Sequence, residues 1–207
     1  MLKMGLFGIL MSTLTIYFLL FFASWIVFKI SFYVFNWVIC PILFLKNILL
    51  NIYSIKRWKE KDIKGNHIAV VLCNNYYPER FMVYIFKIYL LLKYFKNRGW
   101  PFAVYSKVSK EKFREIVKNK KATILYVFGH GVKHGVKISK KEVFYYCDLR
   151  KFPKKKFIAQ LHCNPLGGKS LVDYLSTNGF VSNGELSFFQ LNKFIKNVVK
   201  GKVHGPP

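Results

Sequence analysis

The chain has 207 residues, with 34 Lys and Arg against 9 Asp and Glu, a formal charge of +25. This is too long for one small module once an apolar leader is set aside, and too short for two large domains. The lysines are dispersed rather than gathered in one tract, which argues against a nucleic-acid partner. Four cysteines without metal-type spacing, Cys40, Cys73, Cys147 and Cys163, argue against a disulfide framework and fit a reducing compartment.

No residue from 5 to 28 is charged, and that run exceeds the ~20 residues needed to cross a hydrocarbon core. A cleaved signal peptide would have a shorter apolar region ending at small residues, whereas this one continues through Trp25 to Phe28, as an uncleaved anchor does. A second apolar stretch over 30–45, broken by Asn36 and by Cys40-Pro41, reads either as a continuation of one long helix or as a second span. Lys46, Lys56, Arg57, Lys59, Lys61 and Lys64 follow, against Lys3 before the run, so the positive-inside bias predicts a cytosolic C-terminal part. The basic juxtamembrane residues are expected to touch lipid. The expected organisation is a membrane anchor over 1–55, a basic linker over 56–66, an α/β domain over 67–200 and a loose tail over 201–207.

Within the domain, 67–72 reads as a strand, followed by a loop from Cys73 to Tyr77. Pro78 opens an apolar helix over 79–97. A strand over 102–105 and a helix from Lys110, capped by Ser109, come next. The run 122–128 is brief, β-branched and aromatic, as a buried strand is, and it delivers Gly129-His130-Gly131. Segments 136–138 and 143–146 read as a hairpin. The run 157–162 reads as another strand and delivers Cys163. A helix near 170–176, a short strand at 180–181 and a closing helix over 185–199 complete the pattern. Strands alternating with helices predict a mostly parallel sheet flanked by helices on both faces.

If the strands ending in Gly129-His130-Gly131 and in Cys163 are parallel neighbours, their carboxyl ends bring an imidazole and a thiol to one sheet edge, where open α/β sheets keep their ligands. A thiol beside an imidazole is the minimum equipment for covalent cysteine catalysis. Strand alternation turns His162 to the opposite face, where an imidazole must find a partner. His134, four residues after His130, is an alternative base.

The order strand, helix, strand, helix, strand ending in Gly-His-Gly, hairpin, strand ending in Cys, helix resembles the caspase-like cysteine peptidases, and is most similar to the gingipain, CHAT and separase form. The resemblance covers residues 66–200. It leaves the anchor outside and implies a cysteine endopeptidase acting on a protein or peptide substrate, with Cys163 as nucleophile and His130 as its proton-transferring partner; with the apolar run, the expected protein is membrane-anchored. The resemblance further implies an oxyanion hole from the backbone N–H groups of Gly131 and Cys163, a substrate pocket shaped by Asn74, Asn75 and Tyr76, and no cofactor or metal. Two features depart from the family: the residue before the nucleophile is His162 where a small residue is usual, and Gln160 to Asn164 does not match the caspase signature.

Three other readings compete. Cys163 to Ser170 lies one residue from a phosphate-binding P-loop, with Cys where the first Gly belongs. His130, His134, His162 and Cys163 supply zinc-type donors, but the glycines around them argue for a loop rather than a helix. A membrane-tethered adaptor carrying an inactive caspase-like domain is the non-enzymatic alternative. Substrate identity, activation and oligomeric state are not legible in the sequence.

Overall fold

The computed structural model describes residues 2–34, 40–59, 63–75, 84, 86–149, 151–164, 168–182 and 187–202. The chain divides into two compact units, 1–46 and 47–207. In the first, helix α1 (Leu2–Val34) contains a 22-residue segment, Thr13–Val34, of mean hydropathy 1.9 and wholly unburied. It is long and apolar enough to cross a membrane. Helix α2 (Cys40–Trp58) follows. Its later part belongs to the second unit, where Asn51 and Ile55 are buried, so residues grouped by sequence with the anchor pack against the α/β core.

The second unit is built on a five-stranded sheet of β1 (His67–Leu72), β2 (Phe102–Ser106), β3 (Ala122–Phe128), β7 (Phe157–Leu161) and β8 (Gly179–Val181), in the order β2-β1-β3-β7-β8. Every pairing within it is parallel. Parallel strands buried on both faces read as continuous apolar runs. That is why 67–72 and 122–128 were legible as strands. Their side chains alternate between two cores. Ile68, Val70, Leu72, Tyr126 and Phe128 pack toward α3 (Ile88–Asn97) and α6 (Phe188–Val199). Ala69, Val71, Leu125 and Val127 pack toward α4 (Lys110–Lys118) and α5 (Leu171–Leu175).

The fold is therefore α/β, with a parallel central sheet flanked by helices. Ser109 caps α4, accepting from the Lys112 amide at 3.1 Å. The expected hairpin is present as β5 (Gly135–Lys137) and β6 (Val143–Tyr145). It is extended by β4 (His130–Val132), read from sequence as loop, into a separate antiparallel sheet. The expected helix over 79–97 differs more. Tyr84 is helical, but Phe86 and Lys87 are not and α3 begins at Ile88, while the rest of 76–85 lies outside the described residues.

Candidate active site

The pairing of β3 with β7 sets the site. Phe128 pairs with Leu161 at the carboxyl end of the parallel ladder. Two residues beyond that pair stand His130 on one side and Cys163 on the other. The end of β1 joins the same edge, where the Cys73 amide donates to the Phe128 carbonyl at 2.8 Å. The strands are added to one side of β1 and then to the other, so the strand order reverses between β1 and β3, the place at which open α/β sheets form a crevice.

Gly131, within β4, fixes the approach of that strand to the segment after β7. A Cβ placed on it would lie 1.7 Å from the Cys163 carbonyl oxygen and 2.6 Å from Nδ1 of His162. Only a residue without a side chain allows this contact. The Cys163 carbonyl is also held from within the chain, because His162 Nδ1 lies 2.9 Å from it. A carbonyl can only accept, so Nδ1 carries the proton and Nε2 is left with its lone pair. Tyr146, in the single turn of 3-10 helix after β6, donates its hydroxyl to that Nε2 at 2.7 Å. Both ring nitrogens of this buried imidazole are thus engaged.

Burial pushes the His162 pKa down to about 4, and the neighbouring His130 adds to the fall against the opposing effect of the Cys163 carbonyl. His162 is neutral near pH 7. It is a structural support, not a base. Sequence reasoning foresaw that this imidazole needed a partner but not that Tyr146 supplies it, since the partner arrives through the hairpin.

His134 is committed as well. It occupies left-handed backbone at φ 60° in the turn between β4 and β5, a conformation that costs a non-glycine residue about 1 kcal/mol. Its Nδ1 accepts the Lys169 amide at 2.9 Å, and its carbonyl accepts the Tyr146 amide at 2.9 Å. This ring latches the loop after Cys163 to the hairpin after His130. Among the three imidazoles at this edge, His130 is the exposed one.

The cysteines differ in kind. Cys73 is buried in the core, and burial pushes its thiol far above the ordinary thiol range. Cys147 is exposed, and Cys163 is half-buried at the sheet edge. Of the expected pocket residues, Asn74 is buried and accepts the Lys107 amide on Oδ1 at 2.8 Å. Its Nδ2 is buried without a hydrogen-bond partner among the described residues. Asn75 is exposed, and Tyr76 lies outside the described residues.

The competing readings fare unequally against this geometry. Among the described residues no three His, Cys, Asp or Glu side chains form a metal-binding group, and the His134 and His162 nitrogens are used as above. In the P-loop reading Ser170 would turn its hydroxyl to a phosphate-bound cation. It instead caps α5 in a reciprocal capping box with Asp173. Residues 165–167 of that loop lie outside the described residues. Comparison of the chain with protein-family models, curated proteins and solved structures finds no match.

Proposed function

We propose that this chain is a membrane-anchored cysteine peptidase of caspase-like type, using a His130–Cys163 dyad. The observation that carries the reading is the β3–β7 register with Gly131 seated against the Cys163 carbonyl: it gives the start of β4, which bears the imidazole, and the segment after β7, which bears the thiol, one sheet edge. Thr13–Val34 serves as the span, and the lysine-rich chain after it favours a cytosolic domain.

In the mechanism, His130 takes the Cys163 proton and the thiolate attacks the scissile carbonyl carbon of a peptide. The oxyanion that forms is met by the backbone N–H groups of Gly131 and Cys163, each such donor contributing about 3 kcal/mol. As the tetrahedral species collapses, the C–N bond breaks and the His130 imidazolium protonates the departing amine, leaving a thioester on Cys163. Water, deprotonated by His130, then attacks the thioester. The C–S bond breaks, the carboxylic acid leaves, and the Cys163 thiolate takes back the proton held by His130. His162 keeps the Cys163 backbone in place through its carbonyl while remaining uncharged.

The test is alkylation of the detergent-solubilised full chain by iodoacetamide near neutral pH, read cysteine by cysteine. Cys163 should react on the order of tenfold faster than exposed Cys147, and His130→Ala should abolish that difference while leaving Cys147 unchanged. Equal rates at the two sites, unaffected by His130→Ala, would sink the dyad and leave the adaptor reading.

A further inference from the structure

The part of α2 that packs on the α/β unit has two unlike sides. Asn51 and Ile55 are buried, whereas Leu49, Ile52 and Tyr53 are 58%, 45% and 62% exposed. Between α2 and α3 runs a groove of about 390 Å³, lined on its polar side by Arg57, Lys93 and Lys96 and by the aromatic rings of Tyr53, Trp58 and Tyr89. Among the described residues, no acidic side chain lines it. Arg57 is held in place there, 3.2 Å from the Tyr53 hydroxyl and over the Trp58 ring at 5.7 Å.

From this arrangement we infer that the α2–α3 face docks on an anionic bilayer surface, with lipid phosphates in the Arg57–Lys93–Lys96 groove and Leu49, Ile52 and Tyr53 in the acyl boundary beside it. Apolar side chains flanked by cations and amphipathic aromatics are what an interfacial helix presents to lipid. A nucleic acid would use the cations and leave the apolar residues in water. Chain length points the same way. Only residues 35–39 separate α1 from α2, which keeps the start of α2 within about 20 Å of the surface where α1 ends. The inference rests on Thr13–Val34 being a span and is independent of the peptidase reading.

The test uses the full chain in nanodiscs of phosphatidylcholine alone or with phosphatidylserine added, with amine labelling read lysine by lysine. Each basic group near an anionic surface gains on the order of fivefold in attraction. Phosphatidylserine should therefore slow Lys93 and Lys96 severalfold relative to Lys110 and Lys118 on α4, across the sheet. The double variant Leu49→Ser, Ile52→Ser, exposed at both positions, should reverse most of that protection. Uniform slowing of all four lysines overturns the docking face, as does no slowing at all. So does equal protection by inorganic phosphate added to phosphatidylcholine discs, which would assign the groove to a soluble anion. Failure to incorporate into discs is a separate result, and overturns the span together with this proposal.

Discussion

At Gly131 a single methyl group collides with backbone, and flexible side chains nearby offer no escape. The Cys163 carbonyl oxygen sits where the Cβ would go. Gly131→Ala therefore has to push the two segments apart, at a cost of about 1–3 kcal/mol. It should lower the denaturant midpoint and remove any excess reactivity of Cys163. Unchanged Cys163 alkylation in a folded Gly131→Ala protein would show that this contact does not shape the site. His162 yields a prediction in pH. Its pKa is about 4 when folded against an ordinary 6.5, so between those values the unfolded chain binds more protons and stability falls as pH falls. The loss begins below about pH 6.5, is complete near pH 4, and amounts to at most about 3 kcal/mol. Urea unfolding across this range should show the loss in the wild type and a shallower profile in His162→Gln. At this scale His130 and Cys163 could be found in the sequence because each ends an apolar run. The Tyr146–His162 bond could not. It joins the turn that follows β6 to the residue that follows β7, the ends of strands from two different sheets, and no spacing encodes that.

Helix α3 is capped by side chains from elsewhere in the fold. Lys87, at its N-cap, provides no side-chain hydrogen bond. Instead Asn192 of α6 accepts the Lys87 amide at 2.9 Å, and Asn51 of α2 accepts the Tyr89 amide at 2.8 Å. The Asn51 amide nitrogen also donates to the Tyr84 and Phe86 carbonyls. One buried side chain thus satisfies three backbone groups and fastens α2 to the domain. Asn51→Ala would leave all three without that partner, costing about 2–4 kcal/mol. Chemical denaturation of the full chain measures this, and a loss below about 1 kcal/mol would mean that α2 is not integral to the unit. The same long-range capping explains a break that the local sequence does not announce, at Phe86 and Lys87 within the helix expected over 79–97. The groups that hold Lys87 and Tyr89, Asn192 and Asn51, lie far away in the chain, and the expected start at Pro78 and Glu79 lies outside the described residues. The strands were legible for the opposite reason: burial on both faces writes itself locally as an apolar run.

Over the whole molecule, the division at residues 46 and 47 separates an apolar helix with no buried window from a unit with two packed cores. An unburied segment of mean hydropathy 1.9 in water would expose large side chains such as Phe18, Leu20, Phe21 and Phe28, each more than half accessible. Soluble proteins rarely leave so continuous an apolar surface uncovered. A bilayer removes that penalty without requiring any protein partner. An arginine at the middle of a span costs about 2.5–3.5 kcal/mol on insertion scales, so a pair near the centre should defeat an otherwise favourable helix. Leu20→Arg with Ala23→Arg is accordingly expected to release the chain from membranes into the carbonate-soluble fraction. The wild type and a Lys110→Gln, Lys118→Gln control should stay in the pellet. The second unit contributes nothing to this helix's hydropathy, so the double arginine variant should still pass the test of fold, unfolding at the wild-type denaturant midpoint once solubilised. A variant that stays membrane-bound under carbonate would mean that retention comes from the basic surface of the second unit and not from Thr13–Val34.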